Sequence, residues 1–191
     1  MNEPVYIVDV IGEVVEAVTA AILPTIQAND VLANGRTTIE TIDYQYGHKR
    51  ELVQTLFEMD RSKSERFQRY PLVYLVQDFY EDLGRGPGIY ADTSLNIILA
   101  HHTEQQYKIT DRYAKVFKPV LYPILQELKR QLFKHPQIHV ISPEVLGMRK
   151  WDRSAWGRVA VGGNDATKLN DYVDAIEIEQ LRLKIKYPTC P

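Results

Sequence analysis

The sequence has a single cysteine, Cys190, next to the last position of the chain. An internal disulfide framework and a cysteine-rich zinc module are therefore excluded. The longest apolar runs, VVEAVTAAIL and SLNIILA among them, meet polar residues well before the roughly 20 positions that a bilayer span needs. The first residues, MNEPVYIVDV, carry acids and no basic stretch, unlike a secretory signal. We expect a soluble, intracellular protein without redox chemistry.

The sequence also lacks a large excess of positive or negative charge. The 23 Lys and Arg residues and the 25 Asp and Glu residues give a formal net charge of −2. Such a chain has no long-range field that would steer it to DNA, RNA or an anionic membrane. Polyanion binding would need a local patch, and four basic residues supply one candidate: Arg61, Lys63, Arg66 and Arg69. A DNA-binding module using this patch is one alternative function, although a solvated linker or a contact with an acidic protein is the plainer interpretation.

Motifs for catalysis or cofactor binding are weak. The glycine run at residues 84–88 lacks the Lys-Ser/Thr partner of a phosphate loop and precedes a predicted strand, so it indicates a hairpin turn. His101 and His102 are adjacent, and adjacent strand residues point to opposite faces, which argues against a shared metal ion. We predict no catalytic residue, metal or cofactor. The alternative is a small hydrolase or transferase in which a loop lid covers Asp152 or Ser154.

The length of 191 residues and an apolar share of 45% suit one domain at residues 1–191. Helical spacing and strand-like runs alternate along the chain. The predicted elements, in order, are helix 5–23, strand 36–46, helix 48–60, strands 72–76 and 89–101, helix 111–134, and strands 137–141 and 175–187. This order favours an α+β fold in which helices pack on one mainly antiparallel sheet.

Two irregular features interrupt this plan. Residues 142–171 show no clear period, which predicts a long loop or arm inserted in the C-terminal half of the chain. In the last strand the apolar residues change parity between Ile178 and Leu181. Because side chains alternate along a strand, this change predicts either a β-bulge near Glu179 or Gln180 or a strand that passes from one sheet environment to another.

Tyrosine is the aromatic residue that the chain uses most, with 12 Tyr against 5 Phe and 2 Trp. Its apolar ring and hydrogen-bonding tip suit protein interfaces, although tyrosines also rim antiparallel sheets. From Tyr70 the sequence YPLVYLVQDFYEDLGRGPGIYADTSLNIILAHHTEQQYKITDRYAKVFKPVLYPILQELKRQL resembles the central part of tail terminator and head-to-tail joining proteins of tailed bacteriophages. It is also similar to proteins of Bacteroidetes phages, including the neck rings of crAss-like phages.

The resemblance implies a structural virion protein, made in the host bacterial cytoplasm, whose copies close into a ring, commonly a hexamer. Such a ring is a tail terminator, a neck ring or a stopper. It contacts neck proteins on the portal side and tail proteins on the other, and DNA passes through its lumen without specific binding.

We assign the contacts with neighbouring subunits and proteins to two loops, whose candidate residues are Asp78, Glu81, Asp82, Arg85, Trp151 and Trp156. The three acidic residues are our candidates for the lumen wall, because an acidic wall denies DNA phosphates any counterion-release gain.

Overall fold

Helix α1 spans Ile7–Asn34 and packs an apolar stripe against one face of the sheet. The computed structural model describes residues 6–35, 37–52, 70–82, 90–139, 147–156 and 172–186. Within these ranges, no helix is long and apolar enough to cross a bilayer. The predicted end of the first helix at residue 23 is wrong, because the helix continues through Pro24. Burial of Ile26 beyond the proline offsets the backbone hydrogen bond that Pro24 cannot donate.

The sheet has seven strands in the part of the chain that the structure describes. In chain order they are β1 (Asp43–Gly47), β2 (Leu72–Val76), β3 (Glu81–Asp82), β4 (Tyr90–Thr103), β5 (Ile138–His139), β6 (Arg149–Trp156) and β7 (Tyr172–Lys186). Their spatial order is β1-β2-β4-β7-β5, with β3 beside β4 and β6 beside β7. The pair β1–β2 is parallel and every other pair is antiparallel. The predicted mainly antiparallel sheet with helices packed on it is confirmed, as one mixed α and β domain.

A second helical stretch follows β4 and is continuous but changes its winding. It begins as α2 (Ile109–Arg112), widens into a π-helical segment (Tyr113–Leu121) and ends as α3 (Tyr122–Lys134). Pro119 lies inside the π-helical segment, and the wider turn accommodates its missing N–H. The predicted helix 111–134 is therefore confirmed in place, and the prolines within it change its winding without dividing it.

The two faces of the sheet bury different cores. Helix α1, the π-helical segment and α3 cover one face, which we call the helix face, and enclose the larger core. The far face buries a smaller group: Leu52, Tyr70, Leu72, Tyr74, Val76, Ile98, Ala100, Trp156, Val173 and Ala175. Because both faces of β2 are buried, its run LVYLV is apolar throughout instead of alternating.

The bulge predicted in the last strand is confirmed. The register between β4 and β7 shifts between Leu95 and Ile97, where two residues of β7 oppose one residue of β4. Gln180 has a φ of 55°, and its N–H donates to the side-chain oxygen of Asn96 at 3.0 Å. The bulge lets Ile178 and Leu181 enter the same core although they differ in parity.

The predicted loop at residues 142–171 is wrong in part, because Arg149–Trp156 form strand β6. The strand was missed because residues 149–154 are exposed, so no apolar alternation marks it. The remaining residues of that interval, apart from 147 and 148, lie outside the described part of the chain.

Candidate assembly surface

The two edges of the sheet are the parts of the fold that offer unpaired backbone groups to a partner strand. Among the described strands, β1 forms one edge, and β5 and β6, which both pair with β7, share the other edge. On β6 the side chain of Trp151 is 46% exposed, and on β1 that of Tyr46 is 55% exposed. A large aromatic side chain therefore stands in solvent at each edge. We take β1 and β6 together as the candidate assembly surface, because aromatic residues are enriched in protein interfaces.

On the far face, the exposed indole of Trp151 is held in place by its neighbours. Its Nε1 donates to Glu179 Oε2 at 3.2 Å. The guanidinium carbon of Arg153 lies 5.0 Å from the centre of the Trp151 ring, a cation–π contact. Arg153 Nε in turn donates to Glu177 Oε2 at 3.2 Å. An exposed aromatic that is already ordered loses less entropy when a partner binds.

On the helix face, Lys150 and Asp152 join β6 to α3. The ammonium of Lys150 lies 2.8 Å from Asp152 Oδ2 and 4.8 Å from the centre of the Tyr122 ring. The Tyr122 hydroxyl donates to the same carboxylate oxygen at 3.0 Å. Loss of solvation, followed by this hydrogen bond, raises the pKa of Tyr122 to about 12. These contacts fix the side chains of the edge strand on this face.

Glu177, at the centre of the far face, anchors β6 to the sheet. Its Oε1 accepts hydrogen bonds from Trp156 Nε1 at 2.6 Å and Lys49 Nζ at 3.0 Å, and its Oε2 accepts from Arg153. Burial alone would raise the pKa of Glu177, but hydrogen bonds from Trp156, Lys49 and Arg153, with the charge of Lys49, hold it below its usual value. A charged Glu177 therefore ties β6, β7 and the helical residues 49–52 together.

A second buried carboxylate holds the end of β6. Asp174 on β7 is fully buried, and its Oδ1 accepts hydrogen bonds from Arg112 Nη1 at 2.6 Å and from the backbone N–H of Ala155 at 2.9 Å. Ala155 has a φ of 54°, in the left-handed region. That conformation turns the chain so that Trp156, two positions after the exposed Ser154, enters the core.

A cavity of about 180 Å³ lies at the end of β4 that is nearest α2. His101 Nδ1 and Thr103 Oγ1 border it and are buried without a hydrogen-bond partner among the described residues. Burial, reinforced by the neighbouring His102, lowers the pKa of His101 to about 3, so its imidazole is neutral at neutral pH. Within the described ranges, no three His, Cys, Asp or Glu side chains come together in a way that could hold a metal ion.

The acidic residues predicted for the lumen lie on the surface beside β4. Asp78 follows β2, while Glu81 and Asp82 form β3, and all three are exposed. Asp82 is in register with Asp92 of β4, whose carboxylate lies 3.1 Å from Lys184 Nζ. Because Glu81 and Asp82 are adjacent on one strand, their side chains point to opposite faces of the sheet, so β3 does not present them as one acidic wall. Arg85, the fourth residue predicted for contacts in this loop, lies outside the described residues.

Of the two tryptophans predicted for contacts, the structure exposes one and buries the other. Trp151 is exposed, but it lies on strand β6 rather than in a loop. The prediction for Trp156 is wrong, because this residue is only 3% exposed and its indole N–H is bonded to Glu177. The basic patch of Arg61, Lys63, Arg66 and Arg69 lies outside the described part of the chain.

The two residues of the hydrolase alternative, Asp152 and Ser154, stand on the exposed edge strand. Neither borders the cavity at His101 or the open groove beside Arg182 and Lys184. Asp152 contacts Lys150 and Tyr122, which hold its carboxylate in an ion pair and a hydrogen bond.

Sequence reasoning missed the residues that hold β6 in place. Glu177 and Asp174 each interrupt an apolar stretch of β7, and a carboxylate in a buried strand is a signal that a partner is needed. Arg112 gave no such signal, because it lies among polar residues at the start of a helix.

No protein-family model, curated protein or solved structure matches this chain.

Proposed function

We propose that this chain is a structural protein of a tailed-bacteriophage virion, and that copies of it close into a ring at the head-to-tail junction or the end of the tail. The resemblance of the sequence from Tyr70 onward supports the phage setting. The observation that carries the self-assembly is the pair of edge strands, β1 and β6, each of which has no further partner strand among the described residues and carries an exposed aromatic residue, Tyr46 on β1 and Trp151 on β6. Different surfaces at opposite ends of one subunit suit head-to-tail contacts, which close into rings.

The ring's neighbours are neck proteins on the portal side and tail proteins on the other side, and its lumen passes DNA without specific binding. The candidates for an acidic lumen wall are Asp78, Glu81 and Asp82, which are all exposed, with Glu81 and Asp82 on opposite faces of β3. Replacing all three with Lys is expected to slow DNA ejection from assembled particles, because a basic wall would bind the phosphates. Unchanged ejection from normally assembled particles would rule out these residues as the lining.

The function is tested by removing the gene from a phage that encodes the chain. The proposal predicts packaged heads and tails that fail to join, or tails of abnormal length, and rescue of infectious particles by the intact protein. Normal infectious particles without the chain would contradict the proposal, and so would a purified chain that turns over a small-molecule substrate.

A further inference from the structure

The two edges of the sheet are aligned with each other across the whole fold. Following the paired residues from strand to strand, one row runs Asp43, Leu72, Ala100, Ala175 and Arg153. The row starts on β1 and ends on β6 without a shift. Three further rows lie beside it, so the described residues of β1 and β6 face outward from the same band of the sheet.

The neighbouring rows obey the same rule. Tyr44 shares a row with Asp152, Gln45 shares one with Trp151, and Tyr46 shares one with Lys150. The row of Tyr44 passes through Val73, Leu99 and Ile176; that of Gln45 through Tyr74, Ile98 and Glu177; and that of Tyr46 through Leu75, Ile97 and Ile178.

The strand directions allow one copy of the sheet to continue into the next. Strand β1 runs parallel to β2, and three antiparallel steps then lead through β4 and β7 to β6. Within one subunit β6 therefore runs opposite to β1. A neighbour generated by rotation about a ring axis keeps nearly the same strand directions, so its β6 would meet β1 as an antiparallel partner.

Among the described residues, no strand pairs with the outer side of β1, so its backbone can bond to such a partner. Asp43 N–H donates to Pro71 O, and Gly47 O accepts from Gln77 N–H, so the odd-numbered residues of β1 bond toward β2. In a parallel pair, alternate residues direct their N–H and C=O groups to the other side. Tyr44 and Tyr46 therefore direct theirs away from the sheet.

We propose that the sheet continues from subunit to subunit, with β1 of one copy paired antiparallel to β6 of the next. In the unshifted register Asp43 opposes Arg153 of the next copy, an ion pair on the far face. Tyr46 opposes Lys150, which places an ammonium beside an exposed ring on the helix face. Gln45 opposes Trp151, and Gly47 opposes Arg149.

The charges around the two edges complement each other. On the β1 side, Asp43 lies on the strand itself, and Asp9 of helix α1 acts electrostatically on Tyr44 of β1. Strand β6 carries Arg149, Lys150 and Arg153 against a single acid, Asp152. This difference favours contact between unlike edges over contact between like edges, as a head-to-tail ring requires.

Charge reversal tests the register. Asp43→Lys and Arg153→Glu place like charges opposite each other, and each variant is expected to weaken association by about tenfold. The double variant restores an ion pair of reversed polarity across the interface but still lacks the bond from residue 153 to Glu177 inside the subunit, so it should associate more tightly than either single variant without reaching the wild type. Arg149→Glu is the matched comparison: it makes the same change in net charge, but Arg149 opposes a glycine, so it should weaken association clearly less than Arg153→Glu, and an equal loss would overturn the register.

Cross-linking tests the same pairing independently. In a Cys190→Ser background, Gln45→Cys with Trp151→Cys should give a ladder of disulfide-linked multimers under mild oxidation, because directly opposed strand residues lie within disulfide reach. Gln45→Cys with Ser154→Cys moves one thiol three positions along β6, roughly 10 Å, and should give no ladder.

This pairing rests on the proposed ring. The native mass of the untagged wild-type chain distinguishes failure of the pairing from failure of the ring. The pairing is supported if Gln45→Cys with Trp151→Cys gives disulfide-linked multimers while Gln45→Cys with Ser154→Cys gives none, and if the double charge reversal associates more tightly than either single reversal. A wild-type multimer with no ladder and no response to charge reversal overturns the pairing and leaves the ring standing. A wild-type chain that stays monomeric at every concentration and gives no ladder overturns both.

Discussion

Arg112 and Asp174 form an ion pair inside the core, with 2.6 Å between Arg112 Nη1 and Asp174 Oδ1. The same oxygen accepts the backbone N–H of Ala155, and Arg112 Nε donates to the carbonyl of Tyr107. One guanidinium therefore joins the start of the second helical stretch to β7, and through β7 to the end of β6. The position of the exposed edge strand depends on this buried contact.

Replacing Arg112 with Met should destabilise the fold by about 3–5 kcal/mol, because it leaves the Asp174 carboxylate buried without its charge partner. Chemical denaturation at neutral pH measures the loss. The double variant Arg112→Met with Asp174→Leu removes both charges and should recover a large part of it. A single variant as stable as the wild type would show that the pair contributes little.

His101 should make stability fall as the solution becomes acidic. Its pKa is lowered to about 3 in the fold, chiefly by burial, while an unfolded histidine has a pKa near 6.5. The unfolded chain therefore takes up a proton first, and the stabilisation that is complete above pH 6.5 is lost as the pH falls toward 3.

His101→Leu should remove this component. The wild type should lose about 2 kcal/mol more than the variant between pH 7 and pH 4.5, measured as free energies of unfolding in urea. His102→Leu, which changes the adjacent half-buried histidine, is the control. Parallel pH curves for the wild type and His101→Leu would contradict the assignment.

Glu177 also makes the stability of the fold depend on pH. Its pKa is depressed in the fold, so its contribution is present above the unfolded value near 4.5 and is lost as the pH falls through the folded value. Glu177→Gln should destabilise the protein by about 2 kcal/mol at pH 7 and flatten its stability curve below pH 4.5. Glu179→Gln is the matched control on the same strand, and an equal effect of both changes would count against a special role for Glu177.

Gly47 closes β1 in a conformation that side chains rarely adopt, with a φ of 151°. A Cβ there would lie 2.6 Å from the Tyr74 hydroxyl and 2.7 Å from a Glu51 carboxylate oxygen. Gly47→Ala should therefore cost about 2–3 kcal/mol in thermal or urea unfolding. Gly35→Ala has a positive φ but open space around it, and should cost only about 1 kcal/mol. Equal losses would show that the close contacts at Gly47 are not important.

Apolar patterns made the centre of the sheet predictable from the sequence. Strand β2 is a continuous apolar run, and β4 alternates at its first half, so both were found at nearly their true bounds. The bulge at Gln180 was also visible as one of two explanations for the change of parity in β7, and the register shift against β4 decides in its favour.

The edges were less predictable because burial does not mark them. Strand β6 exposes both of its faces up to Ser154, and its place beside β7 depends on Glu177 and Asp174, which are distant in sequence. The predicted strand 36–46 narrows to Asp43–Gly47, since β propensity marks residues that can pair but not those that do.

Trp151 and Trp156 show the same limit at the candidate site. They lie five positions apart on one strand, and a local reading placed both on the surface. Because Ala155 adopts a left-handed conformation, Trp156 points to the same face of the sheet as Trp151 and not to the opposite face. The backbone N–H of Ala155 donates to Asp174, a contact that no local pattern reveals.

The mass of the native chain, measured from nanomolar to high micromolar concentration, tests the central claim most directly. A closed ring predicts one discrete multimer that appears cooperatively and stops growing at a fixed number of copies. A monomer over the whole range, or open chains that lengthen without limit, would contradict the account.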